Sequence, residues 1–362
     1  MRPEIERLAP YVGGESLDAF SARTGIPVER LIKLNSNENP YGPSPRVQAA
    51  LGDYARYHRY PDPTSPALRA ALAAYTGAPA ETIFLSNGSN ELIQLLWRVF
   101  LGPGESVALC PPTFTLYTTV TALCAGEVVE VPRAADGGVD AQAVRAALRP
   151  QTRVIMLCSP NNPTGEWMPL EIVEDLLDTG RLIVVDEAYI EFAGLHKSAA
   201  RLVAEHNNLA VLRTFSKWAG LAGLRLGYGI LPQWIIAHLR KVQPPFEVNA
   251  AAHIAALESL ADLEHLQQNI KLLVAERERL YQLLSALPFL SVRPSETNFL
   301  LATLTDARIQ ARDLRATLEA AGILVRFYNL PGLERSCRIS VGTPSHTDAL
   351  LGALATLQPA RV

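Results

Sequence analysis

Residues 209–229 read Leu209-Ala-Val-Leu-Arg-Thr214-Phe-Ser-Lys217-Trp-Ala-Gly-Leu-Ala-Gly-Leu-Arg225-Leu-Gly-Tyr-Gly229. The opening run is apolar at every position instead of every second one. That pattern marks a strand buried on both faces, as in a mostly parallel sheet covered by helices. In such sheets ligands bind outside the carboxyl ends of the strands. The end of this strand is crowded with two hydroxyls (Thr214 and Ser216), Lys217, Arg225 and glycines at 220, 223, 227 and 229. Hydroxyls and an arginine fork suit a phosphate, and glycines let backbone come close to a ligand. A lysine by itself is usually a solvated surface residue; inside this run it invites a chemical role.

Working outward, further short apolar runs precede the first: 82–86, 106–110, 127–131, 153–158 and 181–185. Helical patterns at 91–101 and 170–179 supply crossovers between them. The chain is therefore expected to be α/β, with a mostly parallel central sheet in a large domain spanning 41–245. The carboxyl ends of these runs carry the remaining chemistry. After 181–185 comes Asp186-Glu-Ala-Tyr189, a partly desolvated acid that needs a partner. After 82–86 comes Asn87-Gly88-Ser89-Asn90-Glu91 and then an apolar helix, which offers free N–H groups and a positive dipole end to an anion. After 153–158 comes Ser159-Pro-Asn161-Asn-Pro-Thr-Gly165, a rigid turn that presents Asn161 as an amide donor. Singly each has a plainer explanation, such as a salt bridge, a helix cap or a loop. Together they place a phosphate cup, an acid, an amide, a tyrosine and a lysine at successive strand ends.

Beyond Pro244-Pro245 the texture changes to a long helical region over 250–287. A strand (297–301), a helix (308–321), two strands (323–327 and 338–341) and a last helix from Ser345, capped with Asp348, follow it. Residues 246–362 are expected to form a smaller α+β domain. The N-terminal arm, 1–40, is polar and glycine-punctuated; it reads as an ordered arm joining that domain, neither strand nor helix.

The 362 residues are 48% apolar and 19% charged, with a net charge of −3. That balance gives no electrostatic footprint for nucleic acid. The apolar runs fall far short of the roughly 20 residues that span a bilayer, so no membrane association is expected. The N-terminus carries acids and no apolar core of a signal peptide. The four cysteines, 110, 124, 158 and 337, lack metal-ligand spacing and read as reduced thiols of a cytoplasmic protein. No metal site is expected.

The order Ser-Asn87-Gly-Ser-Asn-Glu, Ser-Pro-Asn161-Asn-Pro-Thr-Gly, Val-Asp186-Glu-Ala-Tyr and Thr-Phe-Ser-Lys217…Gly-Leu-Arg225-Leu-Gly-Tyr resembles fold-type-I aminotransferases dependent on pyridoxal 5'-phosphate (PLP). Nearly the whole chain is similar to the histidinol-phosphate aminotransferase subgroup. That likeness includes 34–43, Arg59-Tyr60-Pro-Asp, Pro111-Pro-Thr-Phe114, Pro244-Pro-Phe-Glu-Val-Asn and Arg338-Ile-Ser-Val-Gly-Thr. The resemblance implies PLP held as a Schiff base on Lys217, which also moves the proton. It implies Asp186 facing the pyridine nitrogen, Asn161 and Tyr189 on the ring's 3-oxygen, and Phe114 stacked on the ring. Gly88, Ser89, Asn90, Thr214, Ser216 and Arg225 would hold the phosphate, joined by Tyr60 from the neighbouring subunit of a homodimer with shared active sites. Tyr11, Arg326 and Arg338 would bind the substrate. The implied reaction moves the amino group of histidinol phosphate to 2-oxoglutarate, giving imidazole acetol phosphate and glutamate in histidine biosynthesis.

Three positions depart from the pattern: Asn90 for aspartate, Phe114 for tyrosine, and the bulky Trp218 beside the lysine. None removes a reacting group. An aromatic amino acid aminotransferase and a PLP decarboxylase of phosphothreonine type remain open on these motifs. A ligand sensor in a transcription regulator would need an attached DNA-binding domain. A nicotinamide dehydrogenase is disfavoured, because no strand is followed by G-x-G-x-x-G.

Overall fold

The computed structural model describes residues 3–6, 8, 13–134 and 136–357. Its strands fall in two sheets. In chain order they are β1 (Ile32–Leu34), β2 (Ile83–Ser86), β3 (Ser106–Leu109), β4 (Glu127–Glu130), β5 (Thr152–Cys158) and β6 (Leu182–Asp186). Then come β7 (Leu209–Thr214), β8 (Gly227–Ile230), β9 (Leu290–Val292), β10 (Phe299–Leu304), β11 (Ile323–Phe327) and β12 (Ser336–Ser340).

One compact unit holds residues 42–162 and 166–267 together with the N-terminal turn Pro3–Glu6. Its seven-stranded sheet has the order β2-β8-β7-β6-β5-β3-β4. Strands β7, β6, β5, β3 and β4 pair in parallel, while β8 runs antiparallel to both β7 and β2. All six expected strands of this domain are present within one or two residues. Strand β8 leaves little trace in the sequence, because two of its four residues are glycines that suit ligand-facing backbone equally well. The chain returns from β7 through a connection holding only the single turn Ala222–Leu224. A parallel neighbour would need a longer crossover, so the next strand pairs antiparallel. Side chains of β3, β5, β6 and β7 meet Leu92, Ile93, Leu95, Leu96 and Trp97 of the helix Ser89–Phe100 in one buried cluster.

The second unit holds residues 13–41, 163–165 and 268–357 of the described chain. Its five-stranded sheet has the order β1-β11-β12-β10-β9 and is antiparallel except for the β1–β11 pair. Contrary to the expectation of neither strand nor helix, the arm carries both. It contains the helix Leu17–Thr24, which Ser16 caps and Gly25 ends in the left-handed region. It also contains β1, whose partner Ile323–Val325 lies almost three hundred residues onward. A three-residue strand with so remote a partner leaves no local pattern. The domain boundary expected at 245 differs from the observed division at 267, because the helix Ala250–Ala261 packs on the helices Pro45–Asp53 and Pro66–Thr76 of the first unit. The last helix starts at Pro344, and its box pairs Thr343 with His346, not Ser345 with Asp348.

Candidate active site

Because β2, β5, β6 and β7 all run the same way, their carboxyl ends share one edge of the first unit's sheet. Strand β6 ends on Asp186, which is 4% exposed. The Tyr117 hydroxyl donates to its Oδ2 at 2.8 Å, and the Ala188 N–H donates to Oδ1 at 3.1 Å. Burial pushes this acid up to about 6, while those two hydrogen bonds and the charge of Lys217 pull it down. Lys217 is half-buried in the turn after β7. Acid and lysine thus feel one another across the edge, as the sequence pattern predicts.

The turn after β7 is knit by its own hydroxyls. Thr214 Oγ1 lies 3.0 Å from Ser216 Oγ and accepts the Ser216 N–H at 3.1 Å. The Arg225 guanidinium donates to the Ala222 carbonyl at 2.9 Å and reaches Ser216 Oγ at 3.4 Å. It also lies over Gly88, where an added Cβ would come 2.6 Å from Arg225 Nη2 at a φ of +84°. Gly227 of β8 presses from the other side, since a Cβ there would sit 2.3 Å from the Ser89 nitrogen. At this point begins the helix Ser89–Phe100, whose N-terminus has no side-chain cap. Its first N–H groups, the guanidinium and two hydroxyls form a cup fitted to a phosphate dianion. The remaining glycines serve other ends: Gly220 makes room for the Gly42–Pro43 backbone and Gly229 for Leu92.

The other ring-binding candidates follow. Asn161 is buried, accepts from Thr113 Oγ1 at 2.9 Å and donates to the Pro112 carbonyl at 3.0 Å, so its amide is fixed by the 112–113 turn. Tyr189 is buried at the start of the helix Ile190–Ala193. Phe114 stands edge-on to Tyr117, with centroids 5.5 Å apart. Trp218 turns away from the edge: it stacks on Tyr75 at 5.4 Å and its Nε1 donates to the Thr214 carbonyl at 3.0 Å. The large neighbour thus braces the lysine's turn without filling the site. Tyr60 does not join the cup; it is 80% exposed and stacked on Phe246 at 4.4 Å.

In the second unit, β11 and β12 set Arg326 directly opposite Arg338. Arg338 is buried, donates to the Asn35 carbonyl at 2.9 Å and lies 5.2 Å from the centre of the Phe299 ring. Arg326 donates to the Gly13 carbonyl at 3.0 Å. Like charges facing each other across strands are unfavourable alone and suit a ligand carrying negative charge. Tyr11 lies outside the described residues. The sequence reading missed Tyr117, which looks like an ordinary helix residue until folding brings it to Asp186. It also missed Glu91, whose Oε2 accepts the Asn87 N–H at 2.6 Å. Burial and the nearby Glu247 raise Glu91 to about 7, which limits its repulsion of an anion in the cup. A carboxylate four residues past Asn87 was the available signal. Among the described residues no group of His, Cys, Asp and Glu is arranged to hold a metal, and no helix is long and apolar enough to cross a membrane.

This lysine, acid and phosphate cup at the carboxyl edge of a mostly parallel sheet are the parts of a PLP-dependent enzyme, and the chain belongs to the aminotransferase class I and II family, whose model matches residues 29–354. It is similar to the histidinol-phosphate aminotransferase of Roseiflexus castenholzii, 47% identical over 361 residues, covering 98% of this chain and 97% of that protein. The chloroplastic histidinol-phosphate aminotransferase of Nicotiana tabacum is 42% identical over 356 residues, covering 98% and 86%. A solved histidinol-phosphate aminotransferase from Sinorhizobium meliloti, in complex with pyridoxal-5'-phosphate, matches with a TM-score of 0.88 at 28% identity, covering 98% of this chain and 96% of that one. The expected fold class, fold type I, is borne out.

Proposed function

We propose that the chain carries PLP on Lys217 and moves the amino group of histidinol phosphate to 2-oxoglutarate, giving imidazole acetol phosphate and glutamate. The observation that carries this reading is the convergence of Lys217, buried Asp186 and the Gly88–Arg225 cup on one sheet edge. Bound PLP supplies an electron-poor ring that takes up the charge left when the substrate carbon loses its proton. Arg225, Ser216, Thr214 and the backbone of Gly88, Ser89 and Asn90 bind its phosphate. Asp186 meets the ring nitrogen, and a carboxylate there favours the protonated ring. Asn161 and Tyr189 orient the 3-oxygen, and Phe114 covers a ring face. Lys217 Nζ anchors the cofactor, then takes the proton from the substrate carbon and returns it. Arg326 and Arg338 grip the anionic end of the substrate, with Tyr11 beside them, and Arg338 serves the 2-oxoglutarate carboxylate in the second half-reaction. The reading carries with it a cytoplasmic homodimer in which Tyr60 completes the neighbour's phosphate cup.

The test is a single-turnover spectrum of the PLP-loaded protein mixed in turn with histidinol phosphate, phenylalanine and phosphothreonine. Rapid conversion with histidinol phosphate, reversed by imidazole acetol phosphate, is expected. Faster conversion with phenylalanine would replace this substrate with an aromatic one, and carbon dioxide release from phosphothreonine would replace the reaction class.

A further inference from the structure

Asp186 ends β6, where burial pushes its carboxyl up, and the strongest opposing pull comes from a helix elsewhere in the fold. Tyr117 lies in the helix Leu116–Leu123, fully buried, and its hydroxyl makes a 2.8 Å hydrogen bond to Asp186 Oδ2. Its backbone is tied in turn to the helix Ser89–Phe100 through Thr121. Its carbonyl accepts from Thr121 Oγ1 at 2.8 Å, and Thr121 Oγ1 accepts from Trp97 Nε1 at 2.8 Å. Phe114 stands edge-on against its ring. The hydroxyl therefore has little freedom to leave the carboxylate.

We propose that Tyr117 is a positioning residue, whose hydroxyl holds the Asp186 carboxylate charged and in a single orientation so that the ring nitrogen of bound PLP meets an anion. This rests on the reading that Asp186 faces that nitrogen. The surroundings explain why such a donor is required. The groups facing Asp186 are Cys158 at the end of β5, Glu187 next along the chain, Lys217 beyond β7, and Tyr117 itself. Glu187 opposes a charge on Asp186, and the Cys158 thiol, pushed up to about 12 by burial, stays neutral and offers no compensation. Lys217 is the one cation in that set, and attachment of the cofactor occupies it. What remains to stabilise the carboxylate through the reaction is the Ala188 N–H and the Tyr117 hydroxyl. Burial holds that hydroxyl's own proton well above the ordinary range, so it stays protonated and donates to the carboxylate.

The experiment compares wild-type and Tyr117→Phe protein, titrated from pH 5.5 to 8 with PLP and with its 1-deaza analogue, in which carbon replaces the ring nitrogen. The analogue keeps the phosphate and so controls for its titration. Wild-type protein should prefer PLP. Tyr117→Phe should lose about tenfold in PLP affinity at neutral pH, the scale of a hydrogen bond to a charged group. The acid limb of its PLP binding should move up by about one pH unit, and its affinity for the analogue should not change. Tyr117→His restores a ring donor and should recover PLP binding, which keeps the test open if the phenylalanine variant folds poorly. Equal losses for PLP and analogue, or an unmoved acid limb, would overturn the proposal by making Tyr117 a packing residue. A wild-type protein that binds both probes equally would instead overturn the placement of Asp186 at the ring nitrogen.

Discussion

Replacing Gly227 by alanine should cripple cofactor binding without touching any group that contacts the cofactor through a side chain. The new Cβ would stand 2.3 Å from the Ser89 nitrogen, 2.6 Å from the Gly88 carbonyl carbon and 3.0 Å from the Gly88 Cα. Ordinary contact is about 3.5–4.0 Å, so β8 and the 88–89 turn must part by about 1 Å. All three obstructing atoms are backbone, and no side chain can swing aside. The helix that starts at Ser89 is packed through Leu92, Ile93 and Leu96 in the core, so it resists the shift. Overpacking of this kind costs about 1–3 kcal/mol, which should appear as a Tm lower by a few degrees. The larger effect is positional: parting the turn draws its N–H groups from the phosphate, and a lost hydrogen bond to a charged group costs about 1.5–3 kcal/mol, roughly tenfold or more in affinity. PLP titration followed by absorbance, alongside a thermal melt, measures both. Gly223→Ala, with no atom within 4 Å of its Cβ, is the control and should behave as wild type. Wild-type PLP affinity in Gly227→Ala would refute the argument that backbone contact between β8 and the turn shapes the cup.

Three further outcomes are expected. Arg326→Ala should raise KM for histidinol phosphate at least tenfold, the scale of a lost charge-assisted hydrogen bond, and leave phenylalanine kinetics nearly unchanged; equal effects in the two steady-state assays would favour an aromatic substrate. Neither Tyr60→Phe nor Lys217→Ala chains alone should bind PLP as wild type does, but a refolded mixture should regain wild-type sites, because each heterodimer pairs one intact lysine with one intact tyrosine. Titration of the mixture decides this, and no recovery would argue against a shared site. Glu191 is buried with both carboxylate oxygens unpartnered, and burial raises it from 4.5 to about 8. A raised acid favours the fold fully below its unfolded value, and that contribution is lost as pH rises toward 8. Glu191→Gln should therefore raise Tm more at pH 8 than at pH 5, and equal shifts in melts at the two values would contradict it.

Much of the site was legible because it consists of local patterns. Residues 209–217 and 181–186 each carry a buried strand and the chemistry at its end in one continuous stretch, so reading the run also locates the reacting group. The turn at 87–91 announces a helix N-terminus through its glycine and the apolar periodicity that follows. Where the reading failed, the signal was spread along the chain. Strand β8 is four residues with two glycines, and its status as a strand comes from the β2 and β7 partners on either side. The arm's strand β1 exists because β11 supplies a partner. Glycines at 220 and 229 looked like ligand-facing backbone, but what they accommodate is protein from distant segments.

By itself the sequence determined the buried parallel strands, the lysine and the acid at their ends, and the phosphate-fitting turn, because solvent exclusion and turn chemistry act over a few neighbouring residues. Only the tertiary structure decided that Tyr117 bonds Asp186, that Arg225 lies over Gly88, and that Arg326 faces Arg338. Each of those contacts joins segments whose sequences are silent about one another. Strand order, register and helix packing bring them together, and these are set by how the whole core closes.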